Sequence, residues 1–129
     1  TSTAFVSWFI VGGNTGSPTQ ATGAMTASHF GFILDTTTLY ASNANGTTQT
    51  KTDVSSGITL TNNNFYYFVY DAGVNIKFYI NDILVATHTT NMPTANTNDD
   101  PIILHYISPS AAETKTLQFK NNYIVVARI

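Results

Sequence analysis

Val74-Asn75-Ile76-Lys77-Phe78-Tyr79-Ile80 is followed by Asn81-Asp82 and then by Ile83-Leu84-Val85-Ala86-Thr87-His88-Thr89-Thr90. In the first run Val74, Ile76, Phe78 and Ile80 alternate with Asn75, Lys77 and Tyr79. This period of two turns one face of a strand to a core and the other to solvent. Asn and Asp tolerate the left-handed backbone of a tight turn, so Asn81-Asp82 reads as the link between two antiparallel strands. Upstream, Phe65 to Tyr70 precedes a second turn signal, Asp71-Ala72-Gly73. The stretch from Asn64 to Pro93 is therefore expected to be a three-stranded meander.

The same grammar extends outward in both directions. His29 to Asp35 puts Phe30, Phe32 and Leu34 on one face and His29, Gly31 and Ile33 on the other, and Thr38 to Asn43 is its expected neighbour. Asn45-Gly46 reads as a two-residue hairpin turn leading into the polar run Thr47 to Asp53, a solvated or edge strand. Ala4 to Val11, Ile102 to Ile107 and Leu117 to Ala127 are further strand candidates, the last bulged near Asn121-Asn122. Gly12 to Gly23 is a surface loop. About eight strands with regular turn signals favour an all-β antiparallel sandwich of jelly-roll type over a small barrel. The expected core is Phe30, Phe32, Leu34, Leu39, Val74, Ile76, Phe78, Ile80, Val85 and Leu117.

Composition agrees with that class. A chain of 129 residues fits one domain spanning 1–129. Charged residues make up 9% of it, against roughly 25% in an ordinary globular protein. Thr, Tyr, Phe, Val and Ile suit a pleated, half-buried surface. Lys51, Lys77, Lys115, Lys120 and Arg128 are scattered, which leaves no basic footprint for nucleic acid. No apolar run reaches the roughly 20 residues of a membrane helix, so helical membrane insertion is not expected. The chain has no cysteine, which excludes a disulfide framework and a thiolate metal site. It begins at Thr1, which suggests a processed chain or a module of a longer polypeptide.

Phe78-Tyr79-Ile80-Asn81-Asp82-Ile83-Leu84-Val85-Ala86-Thr87-His88 with Asn91-Met92-Pro93 resembles the laminin G-like segment of the concanavalin A-like lectin/glucanase superfamily. Phe30-Gly31-Phe32, Leu39-Tyr40-Ala41 and Asn45-Gly46-Thr47 resemble its upstream half, and Leu117 to Arg128 its closing strand. The resemblance spans most of residues 29 to 128, in the order seen in phage structural proteins and large surface proteins. It implies a concanavalin A-like jelly roll on a virion, or an extracellular or cell-surface location. The superfamily includes lectins, glucanases and structural modules, so it does not by itself assign a function.

Site chemistry narrows the choice. Glycoside hydrolysis takes two carboxyl groups across the scissile bond. The single glutamate, Glu113, falls in an expected loop, and Asp53, Asp71, Asp82, Asp99 and Asp100 fall mostly in turns. The glutamate-flanked strand motif implied by the glucanase resemblance is missing, and the chain is expected not to be an enzyme. His29, His88 and His105 sit on separate expected strands without ligand-spaced partners and read as satisfied strand histidines. No serine has a nucleophile-elbow context.

Asn96-Thr97-Asn98-Asp99-Asp100 is rich in oxygen ligands, and Asn96, Asn98, Asp99 and Asp100 are the candidate Ca2+ ligands. The competing reading, a polar loop of Asx turns before Pro101, is the favoured one. Asn45-Gly46-Thr47 is also a glycosylation sequon, but its turn role accounts for it. Trp8, Tyr40, Tyr66, Tyr79 and Tyr106 are the candidate glycan-binding aromatics, weighed against roles as core or interface anchors.

Phe65 to Tyr70 is apolar on both faces, as are Val6 to Val11 and Ile102 to Ile107, and a second apolar face needs cover. The expectation is a non-catalytic structural or recognition module of a virion or surface assembly, with glycan binding as an added capacity. Its expected partners are copies of itself or other structural subunits. An independent carbohydrate-binding module of a secreted protein is the alternative, and a hydrolase-related domain is disfavoured by the absent carboxylate pair.

Overall fold

The structure, a computed structural model, describes residues 26–35, 37–71 and 73–93 in full and residues 5–10 and 104–109 as backbone. The described residues contain strands and turns and no helix. Strands β1 (Phe5–Ile10), β2 (His29–Asp35), β3 (Thr38–Ala44), β4 (Gln49–Asp53) and β8 (Leu104–Pro109) form one antiparallel sheet in the order β4-β3-β2-β1-β8. Strands β5 (Tyr66–Asp71), β6 (Asn75–Ile80) and β7 (Ile83–His88) form the expected meander, with β6 central. Gly12 to Gly23, Leu117 to Ala127 and the core expectation Leu117 lie outside the described residues.

Alternation does what the sequence demands in β6, where Ile76, Phe78 and Ile80 are fully buried and Asn75, Lys77 and Tyr79 are half-buried. Phe30, Phe32 and Leu39 supply the facing side of the larger sheet. The two sheets meet through rings. Phe30 packs edge-on to Phe68 at 4.8 Å between centroids and also touches Tyr70, while Phe32 meets Tyr66 at 5.3 Å and Phe78 at 5.5 Å. Edge-to-face geometry sets the positive rim of one ring against the negative face of another, a preference worth about 0.5–1.5 kcal/mol per pair beyond area burial. Leu34 and Val85 are partly buried against this cluster.

Three differences from the sequence reading have local causes. Val74 is exposed (56%) and does not belong to the core. Its N–H donates to the Asp71 carbonyl at 2.9 Å, so it closes the turn and β6 begins one residue later. Secondly, the β3–β4 connection has four residues, 45–48, because Ala44 pairs with Gln49. Gly46 has φ 101° and Asn45 has no positive φ, so the two-residue turn with both residues left-handed does not form there. It forms instead at Asn81 (φ 52°) and Asp82 (φ 65°), between the paired Ile80 and Ile83. Thirdly, β2 is buried on both faces, with His29 and Ile33 at 0% exposure opposite Phe30 and Phe32. The β6–β7 register also shifts by one residue, with Phe78 opposite Ala86 and Tyr79 opposite Leu84.

Candidate functional site

A buried polar cluster ties the sheets together near one end of β7. Asn43 Nδ2 lies 2.9 Å from the Thr90 carbonyl and 2.7 Å from that of Asn91. Carbonyls only accept, so this atom is the amide nitrogen and Asn43 Oδ1 is the acceptor facing His88 Nδ1. His88 therefore donates from Nδ1, and in the neutral ring Nε2 accepts from the Thr52 hydroxyl at 2.9 Å. Burial holds the His88 pKa below its ordinary value. His29 follows the same pattern on the other face of the large sheet. Its Nδ1 donates to the Ala27 carbonyl at 2.7 Å and its Nε2 meets the Ser42 hydroxyl at 2.8 Å. Burial again lowers its pKa, partly offset by the bond to Ala27. Both histidines are spent on structure, and no group of three or more His, Cys, Asp or Glu side chains converges on a metal position among the described residues.

The candidate interaction surface is the solvent face of the three-stranded sheet. Register puts Tyr67 opposite Tyr79 and Tyr79 opposite Leu84, with Val69 opposite Lys77. Tyr67 and Tyr79 stack at 4.7 Å with planes 2° apart, and Phe65 lies 5.4 Å from Tyr67. Phe65 is 52% exposed, Val69 50% and Leu84 49%, so this face offers apolar area to solvent.

The turn at Asn81 anchors that surface. Asn81 Oδ1 accepts from the Phe65 N–H and the Asn81 N–H donates to the Phe65 carbonyl, both at 2.9 Å. Asn81 Nδ2 donates to Asn64 Oδ1 at 3.0 Å, so the β6–β7 turn is tied to the start of β5. Partial burial, and then the Asp82 carboxylate beside it, raise the Tyr67 phenol above its usual range. The surface thus combines aromatic and aliphatic contact area with phenol donors and a carboxylate acceptor, which is binding chemistry.

The candidate aromatics separate. Register aligns Tyr106, Trp8, Ile33 and Tyr40 in one row across the large sheet. The Lys51 ammonium sits 4.2 Å above the Tyr40 ring, so a cation already uses one face of it. Tyr66 packs against Phe32 in the core. Tyr79 lies on the exposed sheet face, but stacked on Tyr67. Phe65, Tyr67, Leu84 and Asp82 are the additions, and the doubly apolar run Phe65 to Tyr70 was the sequence signal for the first two. The Ca2+ candidates Asn96, Asn98, Asp99 and Asp100 lie outside the described residues. Comparison of the chain with protein-family models, with curated proteins and with solved structures found no match.

Proposed function

We propose that this chain is a non-catalytic β-sandwich module of concanavalin A-like, jelly-roll type with about eight strands. Its role is structural or recognitive within a virion or cell-surface assembly, and it works through the solvent face of the three-stranded sheet. The observation that carries the proposal is the exposure of Phe65, Val69 and Leu84 on a face whose centre is a Tyr67–Tyr79 stack. Isolated apolar residues on a surface need no explanation, whereas a contiguous apolar face marks a contact site. The occupant in this reading is a second copy of the chain. With 9% charged residues there is little electrostatic repulsion to oppose close approach of identical surfaces.

Light scattering across the micromolar range tests it. The wild type should be oligomeric, and Phe65→Lys with Val69→Lys should return it to a monomer of unchanged fold. A wild type that stays monomeric at the highest concentration overturns the reading. A second reading, saccharide binding, is favoured by the Asp82 carboxylate beside the Tyr67 phenol, because sugars take aromatic contact together with polar acceptors. A glycan array followed by Tyr67→Ala and Tyr79→Ala separates the two.

A further inference from the structure

Asn45-Gly46 is the sole Asn-Gly dipeptide in the sequence. The β3–β4 turn holds its side-chain carbonyl unusually firmly. Asn45 Oδ1 accepts from the Thr47 N–H at 3.0 Å, from the Thr47 hydroxyl at 3.0 Å and from the Thr48 N–H at 2.9 Å. The Asn45 N–H donates to the Thr48 carbonyl at 3.3 Å, which closes the turn. These bonds fold the Asn45 side chain toward the chain that follows it, which begins with the Gly46 nitrogen. Gly46 is exposed, with open space where a Cβ would stand. Among the described residues, the amide nitrogen of Asn45 is held by a 3.5 Å contact to Asn91 Oδ1.

We infer that Asn45 is a self-modification site, at which the folded turn promotes its own conversion to aspartate and isoaspartate. The Gly46 nitrogen gives up its proton to solvent base and bonds to Asn45 Cγ. Negative charge then develops on Oδ1, where the three donors already point, the arrangement that lowers barriers in acyl transfer. The Cγ–Nδ2 bond breaks, Nδ2 takes up a proton and leaves as ammonia, and a five-membered succinimide remains. Water then adds to either ring carbonyl. One opening gives aspartate, and the other gives isoaspartate with an extra methylene in the main chain. No oxidant or metal is consumed.

The product changes what the turn contacts. A carboxylate at position 45 can no longer donate to Asn91 Oδ1 and faces it as a second acceptor. Asn91 also donates to the Thr50 hydroxyl at 3.0 Å, and its carbonyl holds Asn43, so the change reaches the polar cluster that joins the sheets.

The test is to incubate the folded protein at mildly alkaline pH alongside a linear peptide of residues 41–50. Peptide mapping follows the gain in mass at position 45, and an isoaspartyl methyltransferase assay follows the rearranged product. Preorganised donors should make the folded chain convert faster than the peptide, on the order of tenfold. The exposed substitution Thr47→Val removes one donor and should slow conversion severalfold. A folded protein that converts no faster than the peptide, or a Thr47→Val rate equal to wild type, overturns the inference.

Discussion

Phe78 has no exposed surface and packs against Phe32 from the opposite sheet and against His88. Replacing it with Ala should cost about 3–5 kcal/mol, the range for emptying an aromatic site in a core, read as a lower urea midpoint. At Asn43 the loss is polar. Ala there strands the His88 Nδ1–H and two carbonyls, each orphaned group costing about 1–3 kcal/mol. His88 and His29 add a pH dependence. Both pKa values are depressed in the fold, so the unfolded chain takes up protons first as pH falls. Their stabilisation is whole above about pH 6.5, the ordinary imidazole value, and is lost as pH drops from there through the folded pKa values. Urea midpoints should fall between neutral pH and about pH 5, and His88→Gln should flatten the slope in part, leaving the share due to His29. Identical slopes in both proteins would refute the depressed pKa of His88. Asp82 tests a turn position. Asp82→Gly should change stability by no more than about 0.5 kcal/mol, because Gly relieves the left-handed backbone as it loses an exposed carboxylate. Asp82→Asn should lower the alkaline titration midpoint of Tyr67, followed by ultraviolet absorbance.

Elements were legible where periodicity and turn chemistry agreed. The β5–β6–β7 meander is such a case: β6 alternates strictly, and Asn81-Asp82 adopts the left-handed pair that the residue types permit. The seven strand expectations with counterparts among β2–β8 differ from those strands by at most two residues at either end. The misreadings arose where a side chain made a bond that residue type does not reveal. Asn45 folded its carbonyl onto Thr47 and Thr48, which lengthened a connection that Asn-Gly alone would have kept tight. Val74 continued the apolar alternation on paper, but its N–H was claimed by the Asp71 carbonyl. Strand β1 lies between β2 and β8, so both of its hydrogen-bonding edges are paired, a placement that apolar patterning does not reveal. The surface centred on Tyr67 and Tyr79 was half legible, since Tyr79 was singled out while its stacking partner depends on cross-strand register, which sequence alone leaves open.

For the whole molecule, the pairing of β1 with β8 joins the first described strand to the last. Phe5 stands opposite Pro109, and Ile10 opposite Leu104. Tension applied in opposite directions at residues 5 and 109 would therefore peel the pair like a zip, loading one ladder rung at a time from that end. A lap joint pulled along its length would instead share the load over all rungs at once. A module strung in a fibre through those two points would yield at low force along β1 and β8, while the rings between the two sheets still held the remainder closed.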